Sequence, residues 1–316
     1  MFKRALALAA ALLLCFTAMA YPDKAINAIV PWGAGGGTDS LMRPLMSELS
    51  TLISKRVNVR NMAGGTGTIG TQFVYDSPAD GYTLLLGAEN PALYHALDLS
   101  ELSYDDFECV LLLGDEQTGI VVSATSPYQS FTDLINAALA NPGKIKLSTT
   151  GKGGLPWQGA ALIKGVTGAE FNQIPYDSDA TALTAVLNGE VDFTLCKIQS
   201  GIEQARAGNI KFIAMLSDTE TEALEDVPPI TQEYPGFTEY LPWGPFYGVY
   251  VKAGTDKEIT EYLKESLLEA FNSQDYQTLL QNMYVRPLGL SGEEAQNYIS
   301  KWSESACAAL KSAGAI

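Results

Sequence analysis

The chain has 316 residues, 47% of them hydrophobic, and carries 36 Asp and Glu against 20 Lys and Arg for a formal net charge of −16. That surplus repels nucleic acid and anionic lipid, so neither is expected as a partner. One histidine and four cysteines leave little material for a histidine-rich metal site or a disulfide framework.

The first residues read Lys3-Arg4, an apolar run over 5–16, and the small-x-small triplet Ala18-Met19-Ala20 before Tyr21-Pro22-Asp23-Lys24. This is the pattern of a secretory signal, with cleavage expected after Ala20 and a periplasmic destination. The alternative is a membrane anchor, but about a dozen apolar residues fall short of the roughly 20 needed to cross a hydrocarbon core. Cys15 follows Leu12-Leu13-Leu14, whereas a lipoprotein site calls for a small residue just before the cysteine. At roughly 150 residues per domain, the remainder suggests two domains. Cys109, Cys196 and Cys307 are widely spaced in apolar or helical contexts and read as buried thiols.

Residues 25–30 read as a strand, 31–38 as a glycine loop, and a helix follows from about Asp39, capped by Thr38 or Asp39 and bent by Pro44. The unit then repeats, with a strand at 56–59, a glycine loop at 61–67, a helix at 68–75 and a strand at 82–86. Strands alternating with helices argue a parallel α/β sheet. Further strands are expected at 110–113 and 119–122, the second crossing into another lobe. The α/β pattern resumes with a helix at 131–140, a strand at 144–148 and a loop at 149–154. A helix at 179–188 ended by Gly189 follows, then strands at 191–195 and 210–215. Thr255-x-x-Glu258 and Ser291-x-x-Glu294 have the form of capping boxes ahead of two late helices, the second bearing Trp302. The expected division is a signal at 1–20, a first lobe of 21–121 with 246–316, and a second lobe of 122–245.

Gly33-Ala34-Gly35-Gly36-Gly37-Thr38-Asp39 and Ala63-Gly64-Gly65-Thr66-Gly67-Thr68-Ile69-Gly70 each lie between a strand and a helix. Glycine lets main chain approach a ligand, and amides opening a helix converge on negative charge, so such loops suit a carboxylate or phosphate. Glycines that only make tight turns are the competing reading of either loop alone. Gly65-Thr66-Gly67-Thr68-Ile69-Gly70 also fits a dinucleotide fingerprint, with Glu89 about twenty residues on. Against that, Arg56-Val57-Asn58-Val59 is polar for a central parallel strand, and the export signal leads away from nicotinamide cofactors. No cofactor is therefore expected. The first loop lacks the Lys-Ser/Thr ending of a P-loop, and His95 stands without a G-x-S-x-G motif, so no catalytic set is offered. Trp32, inside the first glycine loop, is the better candidate for a ligand wall, while Trp302 reads as core.

Three ordered segments carry a resemblance: 30–39 (Val-Pro-Trp-Gly-Ala-Gly-Gly-Gly-Thr-Asp), 61–70, and Ala79-Asp80-Gly81-Tyr82-Thr83-Leu84-Leu85. Pro175-Tyr176, Leu187-Asn188-Gly189-Glu190-Val191-Asp192, Ala207-Gly208-Asn209-Ile210-Lys211 and Lys301-Trp302 continue it. Together they are similar to the signature segments of tripartite tricarboxylate transporter binding receptors. The resemblance implies a type II periplasmic-binding-protein fold, with two α/β lobes joined by a hinge of crossing strands. It also implies a carboxylate held by main-chain amides and delivery to a membrane permease. The expected protein is a monomeric clamp, not an enzyme. The same clamp serving a membrane sensor, and an exported enzyme, are the alternatives.

The sequence departs from the family at Met62, where proline is usual, and at Gly151-Lys152-Gly153-Gly154-Leu155-Pro156-Trp157, where a hydroxyl and an imidazole are missing. At Cys196-Lys197-Ile198-Gln199-Ser200 it brings a cation toward the cleft, although a solvated surface lysine is the competing reading. The expected ligand contacts are Trp32, Gly35, Gly36, Gly37, Thr38, Asp39, Gly64, Gly65, Thr66 and Asn90 from the first lobe. Thr150, Gly151, Tyr176 and Lys197 are expected from the second.

Overall fold

The computed structural model describes residues 21–176 and 178–316; the expected signal and Cys15 lie outside the described residues. The first sheet contains β1 (Ile26–Val30), β2 (Val57–Asn61), β3 (Thr83–Ala88) and β4 (Phe107–Glu116). The second contains β5 (Thr118–Ser123), β6 (Lys146–Thr149), β7 (Asn172–Pro175), β8 (Phe193–Lys197) and β9 (Ile210–Met215). The chain then returns to add β10 (Phe246–Lys252) and β11 (Val285–Leu290) to the first. The strand orders are β11-β4-β10-β3-β1-β2 and β7-β6-β8-β5-β9. This is a two-sheet α/β architecture in which the chain crosses from the first sheet to the second and back, as the resemblance implied.

In the first sheet β1 lies parallel to β2 and β3, and β10 and β11 are antiparallel. In the second, β6 is parallel to β7 and β8, and β5 is antiparallel to β8 and β9. β1 and β3 are almost wholly buried and read as continuous apolar runs, as strands covered on both faces must. The polar strand β2 is half buried at the sheet edge, which explains its composition.

Among the described residues ten helices cover the sheets: α1 (Gly37–Leu52), α2 (Thr68–Asp76), α3 (Phe131–Ala140), α4 (Leu155–Thr167), α5 (Asp179–Leu187), α6 (Ile198–Arg206), α7 (Ile230–Glu233), α8 (Lys257–Phe271), α9 (Gln274–Asn282) and α10 (Gly292–Ser312). Leu41, Leu45 and Leu49 of α1 share a core with Ile26, Ala28 and Val30 of β1 and with Leu263 and Leu267 of α8. Trp302 of α10 is 1% exposed and donates its indole N–H to Gly244 O at 2.9 Å, filling the core as its helical position implied. α10 packs on both β4 and α4. Gly165 permits this, since a Cβ there would fall 2.1 Å from Ser312 Oγ.

Gln117 alone separates β4 from β5, so the chain enters the second sheet a few residues earlier than the expected boundary after residue 121. The outgoing and returning segments touch: Glu116 N–H donates to Pro245 O at 2.9 Å. Several helix starts differ from expectation. α1 begins at Gly37 with Gly36 as N-cap and no side-chain cap, so neither Thr38 nor Asp39 caps it, and it runs on through Pro44. Before α8 the cap is Asp256, accepting from Glu258 N–H, because Thr255 spends its hydroxyl on Lys252 O. Ser291 is the N-cap of α10 but makes no side-chain cap bond. Helices α4, α6, α7 and α9 and strands β7, β10 and β11 are absent from the sequence expectation. β10 is buried on both faces and α4 opens on Leu155-Pro156 after a glycine run, so neither shows a clean period.

Candidate functional site

The loops at the carboxyl ends of β1, β2, β3, β6, β7 and β8 converge on one cavity of about 350 Å³ between the sheets. This is where open α/β sheets take ligands, and the volume suits a small molecule. A larger hollow of about 650 Å³ beside Gln117 and Tyr284 receives no glycine loop. Of the residues expected to contact ligand, Trp32, Gly36, Gly37, Thr38, Asp39, Thr66, Asn90, Thr150 and Lys197 line the cavity between the sheets.

Its first wall is the start of α1. The first i→i−4 bond of the helix is Ser40 N–H to Gly36 O, at 2.9 Å. The amides of Gly37, Thr38 and Asp39 therefore have no such acceptor, and the helix dipole adds positive potential at the same point. The Asp39 carboxylate turns back on its own scaffold. It accepts from Gly35 N–H at 2.9 Å, from Arg43 Nη2 at 2.5 Å and from Asn61 Nδ2 at 3.0 Å. Burial opposes its ionisation, but the Arg43, Gly35 and Asn61 hydrogen bonds outweigh it and hold the carboxyl below its usual range. Gly35, expected as an amide donor to ligand, is thus committed to Asp39, and the Asp39 side chain braces the loop rather than facing ligand.

The second glycine loop has four consecutive positive φ angles, 136° at Gly64, 58° at Gly65, 57° at Thr66 and 92° at Gly67. Only Thr66 of the expected residues there lines the cavity; Gly64 and Gly65 stand off it and shape the turn. Gly67 admits its neighbours closely, since a Cβ would lie 2.9 Å from Tyr94 Oη and 3.1 Å from Trp32 Cζ2. That contact seats the Trp32 ring against the loop.

From the second sheet, the loop after β6 brings Thr150, Lys152, Gly153 and Gly154. Gly151 is off the wall, closing a turn in which Gly154 N–H donates to its carbonyl at 3.1 Å. Tyr176 is also off the wall, packed beside Ala185, Val186 and Val191.

Lys197 ends β8 and is 16% exposed, so it is not a solvated surface lysine. Its Nζ lies 3.1 Å from Glu116 Oε2 and would be 3.1 Å from a Cβ on Gly37. Tyr247 of β10 also donates its hydroxyl to Glu116 Oε2. Burial works against the lysine charge, but Glu116 and Asp179 outweigh it and raise the ammonium above its ordinary value.

Sequence reading missed Glu89, Lys152, Asp179 and Tyr247 on this wall and Glu116 behind it. In the sequence Glu89 stands out only as the acidic residue that follows the dinucleotide fingerprint. It is 8% exposed, and burial pushes its carboxyl up to about 7, with Glu116 and Asp179 adding to the shift and its own amide and Lys197 opposing it. His95 is exposed, with its ring bound to Glu101 O, and does not line the cavity. Cys109, Cys196 and Cys307 are free thiols, the first two buried. Among the described residues no group of His, Cys, Asp and Glu could hold a metal ion.

Comparison with known proteins adds a separate finding. Residues 41–314 match the family described as tripartite tricarboxylate transporter family receptor. Protein BugT of Bordetella pertussis is 31% identical over 258 residues, covering 80% of this chain and 78% of BugT. Among solved structures, the periplasmic binding protein BugD is 26% identical with a TM-score of 0.78, over 93% of this chain and 99% of that one. R. palustris Rpa4515 with adipate is 25% identical with a TM-score of 0.80, over 93% and 98%.

Proposed function

The chain belongs to the tripartite tricarboxylate transporter family of receptors, and from that premise we propose that it captures a small carboxylated solute and delivers it to a membrane permease of that transporter class. The family and the similar solved structures are solute-binding receptors rather than enzymes. Export by the 1–20 signal would put the receptor in the periplasm. No described helix is long and apolar enough to cross a membrane.

The observation that carries the carboxylate is the first turn of α1. Three amides at Gly37, Thr38 and Asp39 open on the cavity, with the Lys197 ammonium beside Gly37. Short-range donors of this kind hold an anion despite the negative field of the whole molecule, which is screened within about 10 Å. The adipate of Rpa4515 is a ligand of matching chemistry on a similar fold. Opposite, Thr150 and its loop supply the second lobe's share of the contacts, and Trp32 and Asn90 complete the first lobe's. The proposed ligand site is divided between the lobe of the first sheet, residues 21–116 with 246–316, and the lobe of the second, residues 118–245, closing about the crossing at Gln117.

A thermal-shift screen of mono-, di- and tricarboxylates against neutral sugars and simple cations tests this. At 100 times its dissociation constant, a ligand stabilises by about 2.7 kcal/mol. Stabilisation by carboxylates is expected; a screen in which sugars or cations alone stabilise the protein overturns the reading.

A further inference from the structure

A carboxylate ligand leaves two acidic groups of the cavity unanswered. The other charges near it are paired or turned away. Asp39 is held by Arg43, Lys197 by Glu116, and Lys152 Nζ lies 3.4 Å from Leu97 O. Glu89 and Asp179 remain, sharing the field of Lys197 with Glu116 but making no ion pair of their own among the described residues. Among the described residues Glu89 accepts no hydrogen bond from another residue's side chain or backbone, although it is more than nine-tenths buried and lines the cavity. Asp179, at the start of α5, stands exposed at the rim. A buried carboxylate whose donor is its own amide alone is costly, and a purely anionic ligand would set like charge against it.

Resting on the carboxylate reading above, we propose that the ligand also carries a protonated amine: an amino-acid-like zwitterion whose carboxylate meets the α1 amides and whose ammonium meets Glu89, with Asp179 adding attraction at the rim. An ammonium supplies three donors and the missing positive charge. It places opposite charges at the two poles of one small cavity. The groups facing Glu89 are Lys197 of β8, Glu116 of β4, Asp179 of α5 and the hydroxyls of Tyr94, Tyr104 and Tyr247. Since Glu89 in the empty protein titrates at about 7, an ammonium ligand binds more tightly as pH rises through that value and Glu89 ionises. A second carboxylate at the same point binds more tightly as pH falls, because Glu89 must then hold a proton to donate.

Calorimetric titration of the full chain with matched pairs tests this: propanoate with alanine, succinate with aspartate, glutarate with glutamate, and hexanoate with 6-aminohexanoate. The amine-bearing member of at least one pair should bind at least about tenfold more tightly, with affinity rising from pH 6 to pH 8. Glu89→Gln should remove both the preference and the pH slope, and Glu89→Asp should retain the direction of each. Where a variant does not fold, the wild-type pairs and pH profile decide alone. A panel in which no amine-bearing member binds overturns the proposal. If dicarboxylates bind in that panel the carboxylate reading stands, and if no carboxylate binds both readings fall.

Discussion

Lys197 answers to two neighbours at once, Glu116 at 3.1 Å and the first turn of α1. Glu116 is only 2% exposed, so removing the lysine strands a buried charge with the Tyr247 hydroxyl as its remaining donor. Lys197→Met is therefore expected to destabilise the protein by about 3 kcal/mol and to weaken ligand binding. The double variant Glu116→Gln with Lys197→Met should recover most of that stability without recovering affinity. Chemical denaturation and titration calorimetry read the two effects separately, and full recovery of affinity would leave Lys197 a purely structural role. The substitution of a cation into residues 196–200 was visible in the sequence, which left open both a direction toward the cleft and a solvated surface position. Its partner was not visible there, because Glu116 and Lys197 belong to different sheets.

Among the elements, the β1–loop–α1 unit was the most legible. An apolar strand, a glycine run and an amphipathic helix are each encoded by adjacent residues, and the two glycine loops marked the ends of β1 and β2. The use of each glycine was not legible, because sequence shows freedom of backbone and not its direction. Gly64 and Gly65 use theirs to turn; Gly37 uses its missing side chain to leave space. A Cβ on Gly37 would lie 3.1 Å from Lys197 Nζ and 3.7 Å from Tyr247 Oη, and the branches of a valine would reach farther into the cavity. Gly37→Val is expected to lower affinity at least about tenfold by excluding the ligand from the helix amides. The flexible end of Lys197 can yield, so the melting temperature of the empty protein should change little. A large fall in melting temperature with affinity retained would contradict that account.

At the scale of the whole molecule, the two sheets are joined through Gln117 and the return at Phe246, which is the connection a hinge requires. A ligand that touches both walls favours the closed arrangement by its differential affinity for it, so the empty protein should populate a more open one. Small-angle scattering is expected to give a smaller radius of gyration at saturation than without ligand. An unchanged radius would mean a rigid site, and loading would then have to be signalled to a permease by something other than closure. The sequence by itself determined the class of the molecule: two α/β units, glycine loops suited to an anion, and the ordered motifs of the receptor family, all carried by residues close together in the chain. Tertiary structure alone decided which of those residues share the cavity, that Asp39 braces its loop, and that Glu89 is buried with no donor from another described residue. Those facts depend on which strand ends meet across the crossing at Gln117, and short-range pattern carries no record of such a meeting.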